Sequence, residues 1–102
     1  MEIKRTVEAS DDLIDIYLYT FHEYGKSQAE KYIGELEVAI DFIGESPKLY
    51  RERLEFSPPV RICPQGQHII LYTVQSDYLL IVRVLHSKME VEEHLSGGFT
   101  QQ

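Results

Sequence analysis

From Glu2 to Val7 the chain alternates Ile3, Arg5 and Val7 with Lys4 and Thr6, the pattern of a short, charged strand at a sheet edge. Ser10 then precedes Asp11 and Asp12, so a hydroxyl cap followed by first-turn carboxylates predicts the start of a helix there. Leu13, Ile16, Tyr17, Phe21 and Tyr24 follow the helical period, while Ile14, Leu18 and Tyr19 widen the apolar surface beyond a single stripe. Gly25 stands where that helix must stop. Ser27 and Glu30 have capping-box spacing for a second helix, whose apolar positions Ala29, Tyr32, Ile33, Leu36, Ile40 and Ile43 recur until Gly44 and Pro47. So short a link predicts an antiparallel helical hairpin.

The stretch from Pro47 to Pro59 has no sustained period and reads as a loop with room for one helical turn. Val60 to Cys63 predicts a short strand, Pro64 to Gln67 a turn, and His68 to Val74 a strand rich in β-branched and aromatic residues. Gln75, Ser76 and Asp77 separate it from Tyr78 to His86, a spacing that fits an antiparallel hairpin. The near-continuous apolarity of Tyr78 to His86 marks a central strand covered on both faces. Strict alternation along it would set Leu79, Ile81, Arg83 and Leu85 on one face and Leu80, Val82, Val84 and His86 on the other. Val91 to Leu95 predicts a short terminal helix. The expected architecture is α+β in the order β-α-α-β-β-β, a helical hairpin on one face of a small curved antiparallel sheet, with one domain over residues 1–95 and a flexible tail over 96–102.

Composition narrows the function classes. The 102 residues are 43% hydrophobic and 26% charged, as in a globular domain. Asp11, Asp12 and Asp15 interrupt the apolar residues where a signal peptide needs an unbroken core, no run is long enough to cross a bilayer, and the one cysteine, Cys63, precludes an intrachain disulfide. These features point to the cytoplasm. The net charge of −7 is concentrated in residues 1–50, where five Lys or Arg face eleven Asp or Glu. That balance opposes a nucleic-acid-binding role and predicts no direct sequence-specific recognition.

Little in the chain predicts catalysis or cofactor binding. The Gly25-Lys26-Ser27 triplet lacks the upstream glycine of a phosphate loop, and His22, His68, His86 and His94 show no short metal-ligand spacing, so no catalytic residue, metal or cofactor is expected. Cys63 reads as a small buried hydrophobe. Arg83 is the anomaly, because a guanidinium within an apolar strand must meet a carboxylate in the fold or reach for an external negative charge. His86, at the strand end, either exchanges protons or hydrogen-bonds a loop.

Several segments carry a family resemblance over nearly the whole chain: EASDDLIDIYLYT with the following YGKSQAEKYIGELEVAI, then ESPKLYRE, VRICPQGQHIILYTV and IVRVLHSKMEVEEHL. Together they resemble the ParE branch of the RelE/ParE superfamily, the toxin halves of bacterial type II toxin–antitoxin pairs. The resemblance implies a non-enzymatic toxin that inhibits DNA gyrase and is neutralised by a ParD-like antitoxin laid across the hairpin and sheet. The candidate target contacts are Arg61 and, where the chain leaves an apolar strand for positive charge and a flexible hydrophobe, Arg83, His86, Lys88 and Met89. The sister branch implies instead a ribosome-dependent mRNA endonuclease, and a non-toxic antitoxin-binding module is a third reading. The acidity of the chain and the lack of Tyr or Phe within two residues after His86 argue against the nuclease. Ile14, Leu18, Phe21 and Tyr24 are the candidate antitoxin-binding residues, since a groove lined by such side chains suits an amphipathic partner helix; homodimerisation is the competing use of that surface. Peripheral packing of the terminal helix would let the fold survive removal of Lys88 to Gln102, whereas packing of Met89, Val91 and Leu95 under the sheet as core would make that removal destabilising.

Overall fold

The computed structural model describes residues 1–95; the tail expected over 96–102 lies outside the described residues. Its first strand, β1 (Glu2–Arg5), ends two residues earlier than the alternation suggests. The reason is Thr6, whose hydroxyl accepts from the Ala9 N–H at 2.9 Å and caps α1 (Val7–Tyr24). Ser10 and Asp11 therefore lie inside the helix rather than at its start, and Asp12 is free for a tertiary contact. α1 ends at Gly25, whose φ of 90° admits glycine far better than any residue with a Cβ. α2 (Lys26–Glu45) follows directly, and Ser27 is its second residue, not its cap.

The loop contains one strand that the sequence does not signal, β2 (Glu52–Arg53), followed by β3 (Val60–Gln65), β4 (His68–Val74) and β5 (Tyr78–His86). A two-residue strand carries no measurable periodicity, so only its partner defines it. A 3₁₀ turn spans Glu92–His94, inside the predicted terminal helix. The five strands form one open sheet in the order β1-β5-β4-β3-β2. β2 to β5 run antiparallel to their neighbours, but β1 joins β5 in parallel, so the sheet is mixed.

Both faces of the sheet are covered. On the hairpin face Leu13, Ile16, Leu36, Ile40 and Ile43 pack on Ile70, Tyr72, Leu79, Ile81 and Val84. On the other face Val60, Leu71, Leu80, Val82, Leu85 and Leu95 form a second cluster with Phe56 and Val91 against it. Leu95 is 1% exposed there, so the terminal turn belongs to the core and its removal would open a cavity. The expectation of peripheral packing is corrected.

Strict alternation along β5 is corrected too. The pairing passes from Tyr72↔Ile81 to Leu71↔Arg83, leaving Val82 as an extra, bulged residue. Val84 consequently joins Leu79 and Ile81 on the hairpin face, and Leu85 joins Leu80 and Val82 on the other.

The bulge lies where β1 stops, and side chains satisfy the exposed strand edge. The Thr6 N–H donates to the Ile81 carbonyl at 3.0 Å and the Thr6 hydroxyl to the Val82 carbonyl at 2.6 Å. Six residues further on, in α1, Asp12 accepts the Val84 N–H at 2.9 Å and grips Arg83 through both carboxylate oxygens, each at 2.8 Å. Arg83 thus meets a carboxylate in the fold, one of the two outcomes its sequence context demanded. Arg83 and Asp12 are only 21% and 14% exposed, and the pairing pushes the guanidinium further above its already high pKa. Asp12→Ala leaves a half-buried guanidinium and a backbone N–H without their acceptor, and is expected to destabilise the fold by about 2–4 kcal/mol in urea titrations. Arg5→Ala, which removes the more exposed pair with Glu37, is expected to cost under about 1 kcal/mol in the same measurement.

Tyr72 supplies a pH-dependent element. Its ring is fully buried and its hydroxyl donates to the Pro47 carbonyl at 3.0 Å; burial pushes its pKa up from 10.0 to about 12. The folded state therefore favours the protonated phenol. Its contribution is fully present below pH 10.0 and disappears as the pH rises through about 12. Stability should fall over that window by on the order of 2 kcal/mol, and Tyr72→Phe should remove this alkaline component while losing the hydrogen bond at every pH.

Candidate functional site

α1 buries Ala9, Leu13, Ile16 and Thr20 against the sheet, and the helical period then dictates what remains outside. Ile14, Leu18, Phe21 and Tyr24 are 57%, 47%, 40% and 69% exposed, so all four candidate partner-binding residues are on the surface. Val7 extends this stripe toward the start of the helix. A stripe of this size on an acidic, otherwise well-packed domain is a surface that favours a covering partner. On α2, Val38 and Phe42 are also exposed beside Gly34 and border a smaller cleft toward Tyr50 and Cys63. Cys63 itself is buried, and burial pushes its thiol pKa up, which suppresses the thiolate a nucleophile requires.

The larger cleft, about 880 Å³, opens between the hairpin and the far ends of β4 and β5. Asp15, Tyr19 and Tyr24 come from α1, Gln28 and Tyr32 from α2, and Gly66, Gln67, His68 and His86 from the sheet. Its floor is a hydrogen-bonded row. Tyr32 accepts the Gln67 N–H at 3.1 Å, and its hydroxyl shares a hydrogen bond of 2.6 Å with His68 Nδ1. The His68 and His86 rings follow, edge to face at 5.5 Å. The Lys88 N–H donates to His86 Nδ1 at 3.2 Å, so this histidine hydrogen-bonds the departing chain. Burial first, and His86 second, push the His68 pKa down, so this imidazole stays neutral at physiological pH. Gly66, with φ of 59°, closes the β3–β4 turn directly against Tyr32; a Cβ there would sit 2.7 Å from the Tyr32 hydroxyl.

The residues predicted as target contacts do not converge on one point. Arg61 donates to the Tyr50 carbonyl at 2.6 Å, and Arg83 is held by Asp12 with His94 Nδ1 3.3 Å from its other nitrogen. His86 faces the cleft, while Lys88 and Met89 are exposed beyond the end of β5. Among the described residues no three His, Cys, Asp or Glu are grouped to hold a metal ion, and no helix is long and apolar enough to cross a membrane. Sequence reasoning missed Asp15, Tyr19, Gln28, Tyr32 and His68 as companions in one cleft. The available signal was the i,i+4 spacing of Asp15 with Tyr19 and of Gln28 with Tyr32.

Comparison with known proteins bears on this geometry. The family model described as "ParE toxin of type II toxin-antitoxin system, parDE" matches residues 3–91. The chain is 35% identical over 88 residues to toxin ParE1 of Mycobacterium tuberculosis, covering 85% of this chain and 90% of the relative. It is 34% identical over 87 residues to toxin ParE1 of Caulobacter vibrioides, with the same coverage, and 28% identical over 92 residues to toxin ParE of Escherichia coli, covering 89% of each. Among solved structures, a chain of the chromosomal ParDE toxin–antitoxin system from P. aeruginosa shares the fold with a TM-score of 0.73 at 20% identity, over 84% of this chain and 95% of that one. With the helical hairpin, β2 to β5 and all of β1 but Glu2 inside the matched span, the chain belongs to the ParE toxin family of type II toxin–antitoxin systems.

Proposed function

We propose that this protein inhibits DNA gyrase without catalysing a reaction, and that a ParD-type antitoxin silences it by covering the hairpin. The observation that carries the antitoxin half is the exposure of Ile14, Leu18, Phe21 and Tyr24 on one helix. An amphipathic segment laid on that stripe buries four large apolar side chains without rearranging the core. Non-enzymatic action is supported by the state of the cations. A phosphodiester-cleaving site needs charges free to meet the phosphate as it reacts, yet Arg83 is bound by Asp12 and Arg61 donates to the Tyr50 carbonyl. Lys88 and Met89, both exposed just after β5, offer a cation and a flexible apolar side chain to a target surface.

Replacing Ile14 and Leu18 together by Asp places two charges on the stripe and should weaken antitoxin binding by at least about 30-fold in titration calorimetry, the effect of losing a central contact of about 2 kcal/mol. Unchanged affinity would refute the assignment of this face.

The purified protein should lower supercoiling by gyrase in vitro, and Lys88→Glu with Met89→Asp should relieve growth inhibition while leaving the thermal transition in place. Primer extension on translated messages should show no codon-linked cuts; discrete cuts that vanish in His86→Ala would replace gyrase inhibition by ribosome-dependent mRNA cleavage.

A further inference from the structure

The cleft beside the stripe has a chemistry distinct from the apolar face. Asp15 is exposed at its edge and has no ion-pair partner among the described residues. Tyr19 and Tyr24 stand on the α1 side, and Tyr32, His68 and His86 form a continuous row of rings on the other, with centroids 5.5 Å apart at each step. Aromatic faces with a carboxylate at the edge attract a cation, and a planar guanidinium can stack on the rings while its fork meets the carboxylate. The surrounding charge agrees, since residues 1–50 hold eleven acidic against five basic side chains. An anion would meet Asp15 there with no Lys or Arg among the lining residues to offset it. Position matters as well. Asp15 and Tyr19 each follow a stripe residue, Ile14 and Leu18, by one step of about 100° around the helix, so stripe and cleft share an edge along α1.

We propose that this cleft receives the guanidinium of one arginine carried by the antitoxin segment that lies on the α1 stripe. The inference rests on the reading of that stripe as the antitoxin face and adds a chemical requirement to the partner: an arginine on the flank of its apolar side. Burial of the stripe supplies the bulk of the contact, and the cleft supplies the register. A guanidinium seated over Tyr32 and the two imidazoles fixes where along α1 the partner lies, which a smooth apolar stripe does not.

The cleft can be tested apart from the antitoxin. N-acetyl-arginine methylamide, titrated into the protein and followed by the ring resonances of His68, His86 and the tyrosines, should bind about fivefold more tightly than its uncharged citrulline counterpart, as expected for a cation–π site worth about 1 kcal/mol. Asp15→Asn and Tyr24→Ser, both at exposed positions that leave the core untouched, should each reduce that preference. Equal binding of the arginine and citrulline compounds overturns the proposal, and so does preferential binding of the lysine compound. In the complex, Asp15→Asn should weaken antitoxin binding by about fivefold, in line with one partly desolvated charged contact. If Asp15→Asn leaves affinity unchanged while the Ile14 and Leu18 double replacement abolishes binding, the cleft inference falls and the stripe reading stands. If the double replacement leaves binding intact, the stripe reading falls with its dependent arginine.

Discussion

The structure depends on how the edge of β5 is satisfied after β1 ends. A parallel neighbour covers β5 only as far as Ile81, and the backbone groups beyond it lie against a helix rather than water. Buried backbone groups left unpaired would cost more than the fold can spare. Thr6 and Asp12 resolve this from α1: the first takes the carbonyl of the bulged Val82, the second takes the Val84 N–H and the Arg83 guanidinium. The chain can therefore pass from strand to helix through a single residue, and the angle at which α1 leaves the sheet follows from that closure.

Two surface features inherit that geometry. Because α1 is fixed at its first turns, the side of the helix bearing Leu13 and Ile16 is committed to the sheet, and the side bearing Ile14, Leu18 and Phe21 is committed to solvent. The bulge that Thr6 caps has a second consequence. Counting outward from the Val74↔Leu79 pair without it would set His68 opposite Leu85; with one extra residue His68 meets His86 instead. The paired imidazoles of the cleft exist because of a one-residue slip near the centre of β5.

The α+β architecture, the helical hairpin, its boundary at Gly25 and the last two strands were legible from periodicity and turn chemistry, because each is decided by residues close in sequence. The start of α1 was not. Ser10-Asp11-Asp12 has every local property of a helix cap, but Thr6 provides one four residues earlier and Asp12 is taken by a residue 71 positions away. Bulges leave no trace in an apolar run such as Tyr78 to Val82, so the facing of Val84, Leu85 and His86 could not be counted correctly from alternation alone. The surface stripe was legible as an excess of apolar residues over one helical face. The cleft was not, since its walls come from two helices, a turn and two strands, and the pairing of its histidines depends on the bulge.

The closure between α1 and β5 also orders the assembly of the molecule in time. Thr6 reaches Val82 across 76 residues and Asp12 reaches Arg83 across 71, whereas the hairpin contacts of α1 with α2 and of β4 with β5 are local. Closing long loops is entropically slower than closing short ones. During synthesis β1 and α1 precede the edge they bind, so the α1 stripe acquires its fixed setting only once β5 has been made. A chain interrupted before Tyr78 lacks both the strand that positions α1 and one wall of the cleft, so partial products present neither the stripe nor the cleft in its finished form.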